Sequence, residues 1–177
     1  ISEWDTSQVT DMSGLFCWLS HDNDNYEDEG NQEDPGFDEF NDDISNWDVS
    51  NVQNFSLMFQ EAGLFNQNLS KWNTKRATNM GGMFMQAESF NGDISGWNVS
   101  NVQNLQAMFC RAHLFYRDLS KWNTSNATDI ENMFCCAERF NSDVSKAFKT
   151  CSVMETTQRH SITTSSIGST WHCPSLV

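Results

Sequence analysis

The stretch ISNWDVSNVQNFSLMFQEAGLFNQN, Ile44 to Asn68, decides how this chain is built, because the following residues repeat it. Leu69 to Asp93 reads LSKWNTKRATNMGGMFMQAESFNGD, Ile94 to Asp118 reads ISGWNVSNVQNLQAMFCRAHLFYRD, and Leu119 to Asp143 reads LSKWNTSNATDIENMFCCAERFNSD. Each unit has 25 residues and follows the last without a gap. The first matches the third best and the second the fourth, so a 50-residue pair is the duplicated element. Upstream, ISEWDTSQVTDMSGLF opens a unit at Ile1 that runs to Asp43, 18 residues too long. Downstream, VSK begins a sixth unit at Val144, but Ala147 stands where Trp belongs and the pattern dissolves. The repeat array therefore spans 1–146, with coils starting at 1, 44, 69, 94, 119 and 144 and an acidic insertion at about 18–38. Residues 147–177 form a non-repeating, Ser/Thr-rich tail or cap.

Aligned units give columns. Ile1, Ile44, Leu69, Ile94, Leu119 and Val144 share one, Trp4, Trp47, Trp72, Trp97 and Trp122 another. Phe16, Phe59, Phe84, Phe109 and Phe134 make a third, and Phe40, Phe65, Phe90, Phe115 and Phe140 close each unit. Val52, Phe55, Met58, Phe59 and Ala62 fall at helical spacing. Ser50 and Asn51 before them are N-cap types. Ile44, Trp47 and Val49 have the apolar spacing of a leucine-rich repeat, with a short strand on the last two. The expected fold is an α/β solenoid, a leucine-rich-repeat-like stack of 25-residue strand–helix coils with one parallel sheet. No unit closes a core alone, so stacking in register must bury the Trp and Phe columns.

The chain carries a net charge of −14. That argues against nucleic acid or an anionic membrane as partner, since both require a positive surface. The acidity is concentrated: His21 to Glu39 holds nine acids and no Lys or Arg. There is no apolar run near 18 residues, so membrane insertion is not expected. The chain opens without Met, directly on a repeat boundary, and reads as a mature or excised piece of a longer protein.

The unit F-N-x-D-I-S-x-W-D-V-S-N-V-x-x-M-x-x-M-F-x-x-A, covering Ile1 to about Ser145, resembles the repeat of the BspA-like leucine-rich-repeat surface proteins. The resemblance implies a repeat domain displayed on or outside a cell, with adhesion or protein recognition as its role and no catalytic residues to carry over. The acidic insertion and the tail depart from that pattern.

Candidate sites follow from residue chemistry. Asp22, Asp24, Glu27, Asp28 and Glu29 supply hard oxygen ligands suited to Ca²⁺, against a solvated, self-repelling loop. The spacing is not that of an EF-hand, since Tyr26 sits where a third ligand belongs. No other cofactor is implied. The column Asp48, Asn73, Asn98 and Asn123, flanked by Lys71 and Lys121, should point outward as a ladder or turn element and offers a binding face. Cys110 and Cys135 occupy one repeat position in adjacent coils and are disulfide candidates, against thiols left reduced. Cys136 with Cys151 or Cys173 could tie down the tail. Sequons at Asn54, Asn68, Asn98, Asn123 and Asn126 are largely a by-product of the repeat. The four His occupy unrelated positions, and no nucleophile elbow or phosphate loop is present, so an enzyme is not expected.

The leading expectation is a non-enzymatic recognition or adhesion module, extracellular or on a cell surface. Its partner would be a protein or glycan on another surface. The alternative is a structural scaffold or assembly subunit that stacks with neighbouring subunits through its ends, where an open edge invites pairing. A lesser alternative is an ordered surface, ice or mineral, met by the flat ladder face.

Overall fold

A computed structural model gives the architecture and describes residues 1, 3–17, 39–145 and 147–148. Five coils lie in sequence order: coil 1 from its described residues 1, 3–17 and 39–43, coil 2 from 44 to 68, coil 3 from 69 to 93, coil 4 from 94 to 118 and coil 5 from 119 to 143. Residues 144–148 begin the next.

The described residues contain no α-helix and no sheet; isolated parallel bridges link Asp11 to Asn54, Asn54 to Asn79, Asn79 to Asn104 and Asn104 to Asp129. The expected α/β, leucine-rich-repeat-like arrangement of strand and helix is therefore wrong, and the reason is local. In coil 2 the backbone closes one tight turn after another: Trp47 N–H to Ile44 O, Val52 to Val49, Met58 to Phe55, Gln60 to Leu57, Ala62 to Phe59 and Phe65 to Ala62. Leu57 and Glu61 have φ of 60°, so the turns closed by Met58 and Ala62 each carry a left-handed third residue, the type II geometry. The same two positions are left-handed at Gly82 and Gln86, at Ala107 and Arg111, and at Asn132 and Cys136. Two such turns four residues apart bring Phe55, Met58, Phe59 and Ala62 inward. They therefore produce an apolar spacing that a helix would also produce. The expected strand at Trp47 and Val49 is likewise a pair of turns, with both side chains buried and Asp48 between them exposed.

Turns leave alternate N–H groups unspent, and these join the coils. Phe55, Leu57, Phe59 and Glu61 donate to the carbonyls of Asn79, Gly81, Met83 and Met85 at 2.8–2.9 Å. Thr78 and Asn79 donate back to Gln53 O. Each coil meets the next in this register, so backbone polar groups are satisfied without regular secondary structure.

The core between the turns is aromatic. Within a coil the two Phe stack closely: Phe59 on Phe65 with centroids 4.0 Å apart, Phe84 on Phe90 at 3.8 Å. Between coils each Phe column continues, with Phe59 to Phe84 at 5.4 Å and Phe65 to Phe90 at 5.9 Å. Trp72 and Trp97 stack at 6.1 Å, nearly parallel. Each buried indole satisfies its N–H on the preceding coil: Trp72 Nε1 donates to Ile44 O at 3.1 Å and Trp97 Nε1 to Leu69 O at 2.9 Å, as buried Trp requires. Thr6, Thr74 and Thr124 are buried and donate to carbonyls of the following coil, Asp48 O, Asn98 O and Ala147 O. Among the described residues the last aromatic of the stack is Phe148, fully buried and edge-on to Phe134 at 6.4 Å and 79°.

Candidate functional site

Asx turns set the corners of each coil and thereby its surface. Asp48 Oδ1 accepts from Ser50 N at 2.9 Å, Asn98 Oδ1 from Ser100 N and Oγ, and Asn123 Oδ1 from Ser125 N. Asn73 Oδ1 accepts from Lys75 N at 3.3 Å. The Asp/Asn column thus spends its acceptors within its own coil, and Lys71 Nζ reaches Asn46 Oδ1 at 3.0 Å. Lys121 is exposed beside the same column. Further Asx corners lie at Asp43, Asn68, Asp93 and Asp118, and at Asp11, Asn54, Asn79 and Asn104. This local bond explains four of the five sequons: Asn-x-Ser is what such a turn needs at Asn54, Asn68, Asn98 and Asn123.

These bonds act on the carboxyls. The Ser50 hydroxyl and then its backbone N–H hold Asp48 below the usual range, and Ser7 does the same for Asp5. The backbone N–H and then the hydroxyl of Ser95 and of Ser120 lower Asp93 and Asp118.

Ladders between coils lie elsewhere. Asn66 N donates to Asn41 Oδ1 and Asn91 N to Asn66 Oδ1, one coil apart. Asn51, Asn101 and Asn126 each donate Nδ2 to a backbone carbonyl of the preceding coil, Ser7, Lys75 and Ser100, at 2.7–2.8 Å. That last column borders a groove of about 550 Å³ running across coils 2 to 5. Its lining is Gln53, Lys75, Arg76, Thr78, Asn101, Gln103, Asn126 and Thr128, all exposed and none acidic. Arg76 Nη1 is held by Asn51 Oδ1 at 2.9 Å, and Thr78 and Thr128 hydroxyls donate to Gln53 O and Gln103 O at 3.2 Å. Among the described residues, Lys75 Nζ and the side-chain amides of Gln53 and Gln103 make no hydrogen bond. The groove therefore presents amide donors and acceptors and an ammonium to solvent. Nothing in the sequence reading singled it out. Its signal was the strict alternation Gln53, Thr78, Gln103, Thr128 over the 50-residue period.

The remaining sequence candidates fall in different places. The carboxylates Asp22, Asp24, Glu27, Asp28 and Glu29, with the whole acidic insertion, lie outside the described residues, as do Cys151, Cys173 and the tail beyond 148. No group of His, Cys, Asp and Glu among the described residues could hold a metal. Cys110 is buried and Cys135 half-buried on adjacent coils; no disulfide joins them, and Cys135 Sγ lies 3.8 Å from Cys136 Sγ. Burial, and then the charge of Glu61, raises the Cys17 thiol above its usual value. The residues that follow the Asp/Asn column, Thr6, Val49, Thr74, Val99 and Thr124, are buried. No helix among the described residues is long and apolar enough to cross a membrane.

A second depression, of about 370 Å³ at the coil 1 end, is lined by Trp4, Asp5, Thr6, Val9, Asp11, Met12, Leu15 and Trp47. Trp4 is 56 % exposed there and Leu15 40 %.

A family model described as "Mycoplasma protein of unknown function, DUF285" matches residues 1–29 and 35–148. No curated protein and no solved structure matches the chain.

Proposed function

We propose that this chain, which belongs to the family described as Mycoplasma protein of unknown function, DUF285, is a non-enzymatic recognition module that holds its partner along the polar groove of coils 2 to 5. The carrying observation is the groove itself, with eight exposed polar side chains from four coils in register. A shallow, open groove lined by donors and acceptors suits an extended polar ligand that pairs with them in turn. The likeness of the repeat to BspA-like surface proteins supports adhesion at or outside a cell surface. The test is binding of the purified chain to arrays of surface proteins and glycans, repeated with Gln53→Ala/Gln103→Ala. Both side chains are exposed and their amides make no hydrogen bond among the described residues, so the fold is expected to be kept. Loss of the captured ligands supports the reading; capture unchanged by the double variant rules out the groove.

A second reading, an assembly subunit, is favoured by the coil 1 end. There the carbonyls of Asp11, Ser13 and Leu15 accept nothing among the described residues. Their counterparts Asn79, Gly81 and Met83 each accept from the coil before. An edge of acceptors without partners among the described residues, beside exposed Trp4 and Leu15, is a template for pairing. Sedimentation should then show mass rising with concentration and Leu15→Lys abolishing the rise. A monomer at every concentration excludes this reading.

A further inference from the structure

We propose that the groove takes an anionic glycan, a chain of sugars bearing carboxylate or sulfate groups; this rests on the recognition reading and names its ligand. The argument starts from charge. The chain carries −14, yet the groove holds Lys75 and Arg76 side by side and no acid among its eight lining residues. A cleft lined by one sign of charge focuses its field on an incoming ion. Arg76 is fixed in place by Asn51 at 2.9 Å, whereas Lys75 Nζ has no partner among the described residues. A fixed guanidinium can pair with an oxyanion in a planar, two-bond fashion, and an ammonium serves as a mobile point charge.

The rest of the lining selects sugar over peptide. All eight residues are polar, with no apolar or aromatic side chain for a peptide anchor to fill. Gln53 and Gln103 present whole amides, and exposed Asn101 and Asn126, whose Nδ2 atoms bond backward, have Oδ1 atoms with no hydrogen bond among the described residues. Amides that donate and accept together suit vicinal hydroxyls, which do both. The groove column lies beside the parallel bridges at Asn54, Asn79, Asn104 and Asp129, where bridged backbones stand about 4.8 Å apart, a spacing of the order of one pyranose residue, so an extended glycan can be met coil by coil. Gln and Thr alternate at one column, so that column repeats every two coils and suits a disaccharide period, while Lys75 and Arg76 stand once, with Ser125 and Asn126 at their places two coils on, and fix where the anionic group sits.

The experiment is calorimetric titration of the whole chain with an oligogalacturonate hexamer, its uncharged methyl ester, and a chondroitin sulfate hexamer. Either charged hexamer should bind at least about tenfold tighter than the ester. Because chondroitin sulfate carries glucuronate carboxylates as well as sulfates, its desulfated hexamer is titrated beside it. Loss of binding on desulfation identifies the sulfate, whereas retention identifies the carboxylate. Lys75→Gln should remove most of that preference, while Lys71→Gln/Lys121→Gln, away from the groove, should leave it intact. Raising salt should weaken the charged hexamer and leave the ester unchanged. Equal binding of ester and acid, abolished by Gln103→Ala, would overturn the anionic ligand and keep the recognition reading. No binding of either charged hexamer would overturn the inference, and array ligands insensitive to the groove variants would remove the recognition reading as well.

Discussion

Gly14→Ala separates a coil made of turns from a coil made of a helix, because the two predict opposite signs. In a helix interior, Gly→Ala stabilises by about 0.5–1 kcal/mol. Gly14 instead has φ of +62°, where an L-residue pays about 1–2 kcal/mol. A Cβ built there meets nothing nearer than Cys17 Cβ at 3.9 Å, an ordinary contact. The conformational cost is therefore isolated from any clash. The stiffer unfolded chain returns about 0.4–1 kcal/mol, so the net expected loss is about 1 kcal/mol. Gly82 would confuse the answer, since its added Cβ would sit 2.5 Å from Leu57 Cδ2. Urea unfolding followed by Trp fluorescence is the assay, with Trp4 and Trp47 stacked at 6.0 Å reporting on the affected coil. Each coil contacts only its neighbours, so a local reporter matters more than a global midpoint. A midpoint lowered with an unchanged denaturant slope agrees with the turn; a raised midpoint refutes it.

Other perturbations test the core, the corners and the inter-coil bonds. Phe84→Ala should cost about 3–5 kcal/mol, since its ring is fully buried against Phe59, Phe90 and Phe109; thermal melting of the variant checks this. Trp97→Phe keeps most of the stack and removes one of the two hydrogen bonds to Leu69 O, which still accepts from Trp72 N, so the expected loss is about 0.5–1.5 kcal/mol by the same assay. Asp48, Asp93 and Asp118 have folded values below the ordinary carboxylate range, so their stabilising contribution is present above about pH 4 and is lost as pH falls through the lower folded value. Asn fills equivalent corners at Asn68 and Asn73, so Asp48→Asn/Asp93→Asn/Asp118→Asn should fold normally at pH 7. Its urea midpoint should fall less than the parent's between pH 5 and pH 2; an equal fall would sink the assignment.

How much of this was legible in the sequence differs by level. The columns were plain, because stacking identical side chains is what a gapless repeat encodes. Phe59 over Phe84 and Trp72 over Trp97 follow from alignment alone. The local backbone was not legible. Val52, Phe55, Met58, Phe59 and Ala62 satisfy a helical period, yet their N–H groups serve turns and the next coil. The usual turn marker, Gly at the left-handed position, appears only at Gly14 and Gly82; Leu57, Ala107 and Asn132 occupy that place elsewhere and hide it. For the Asp/Asn column the sequence left ladder and turn open, because strand alternation and Asx bonding both place it outward; Asp48 and Asn98 bond two residues ahead, as turn elements. The groove escaped notice because its residues share no single identity; only the alternation of Gln53 with Thr78 marks it.

The most direct measurement is NMR scalar coupling across backbone hydrogen bonds. The turn-built stack predicts couplings from Leu57 N to the Gly81 carbonyl carbon and from Phe59 N to that of Met83, whose bonds span 2.9 Å between coils. Coupling from Phe59 N to the carbonyl carbon of Phe55, the step of an α-helix, would contradict it.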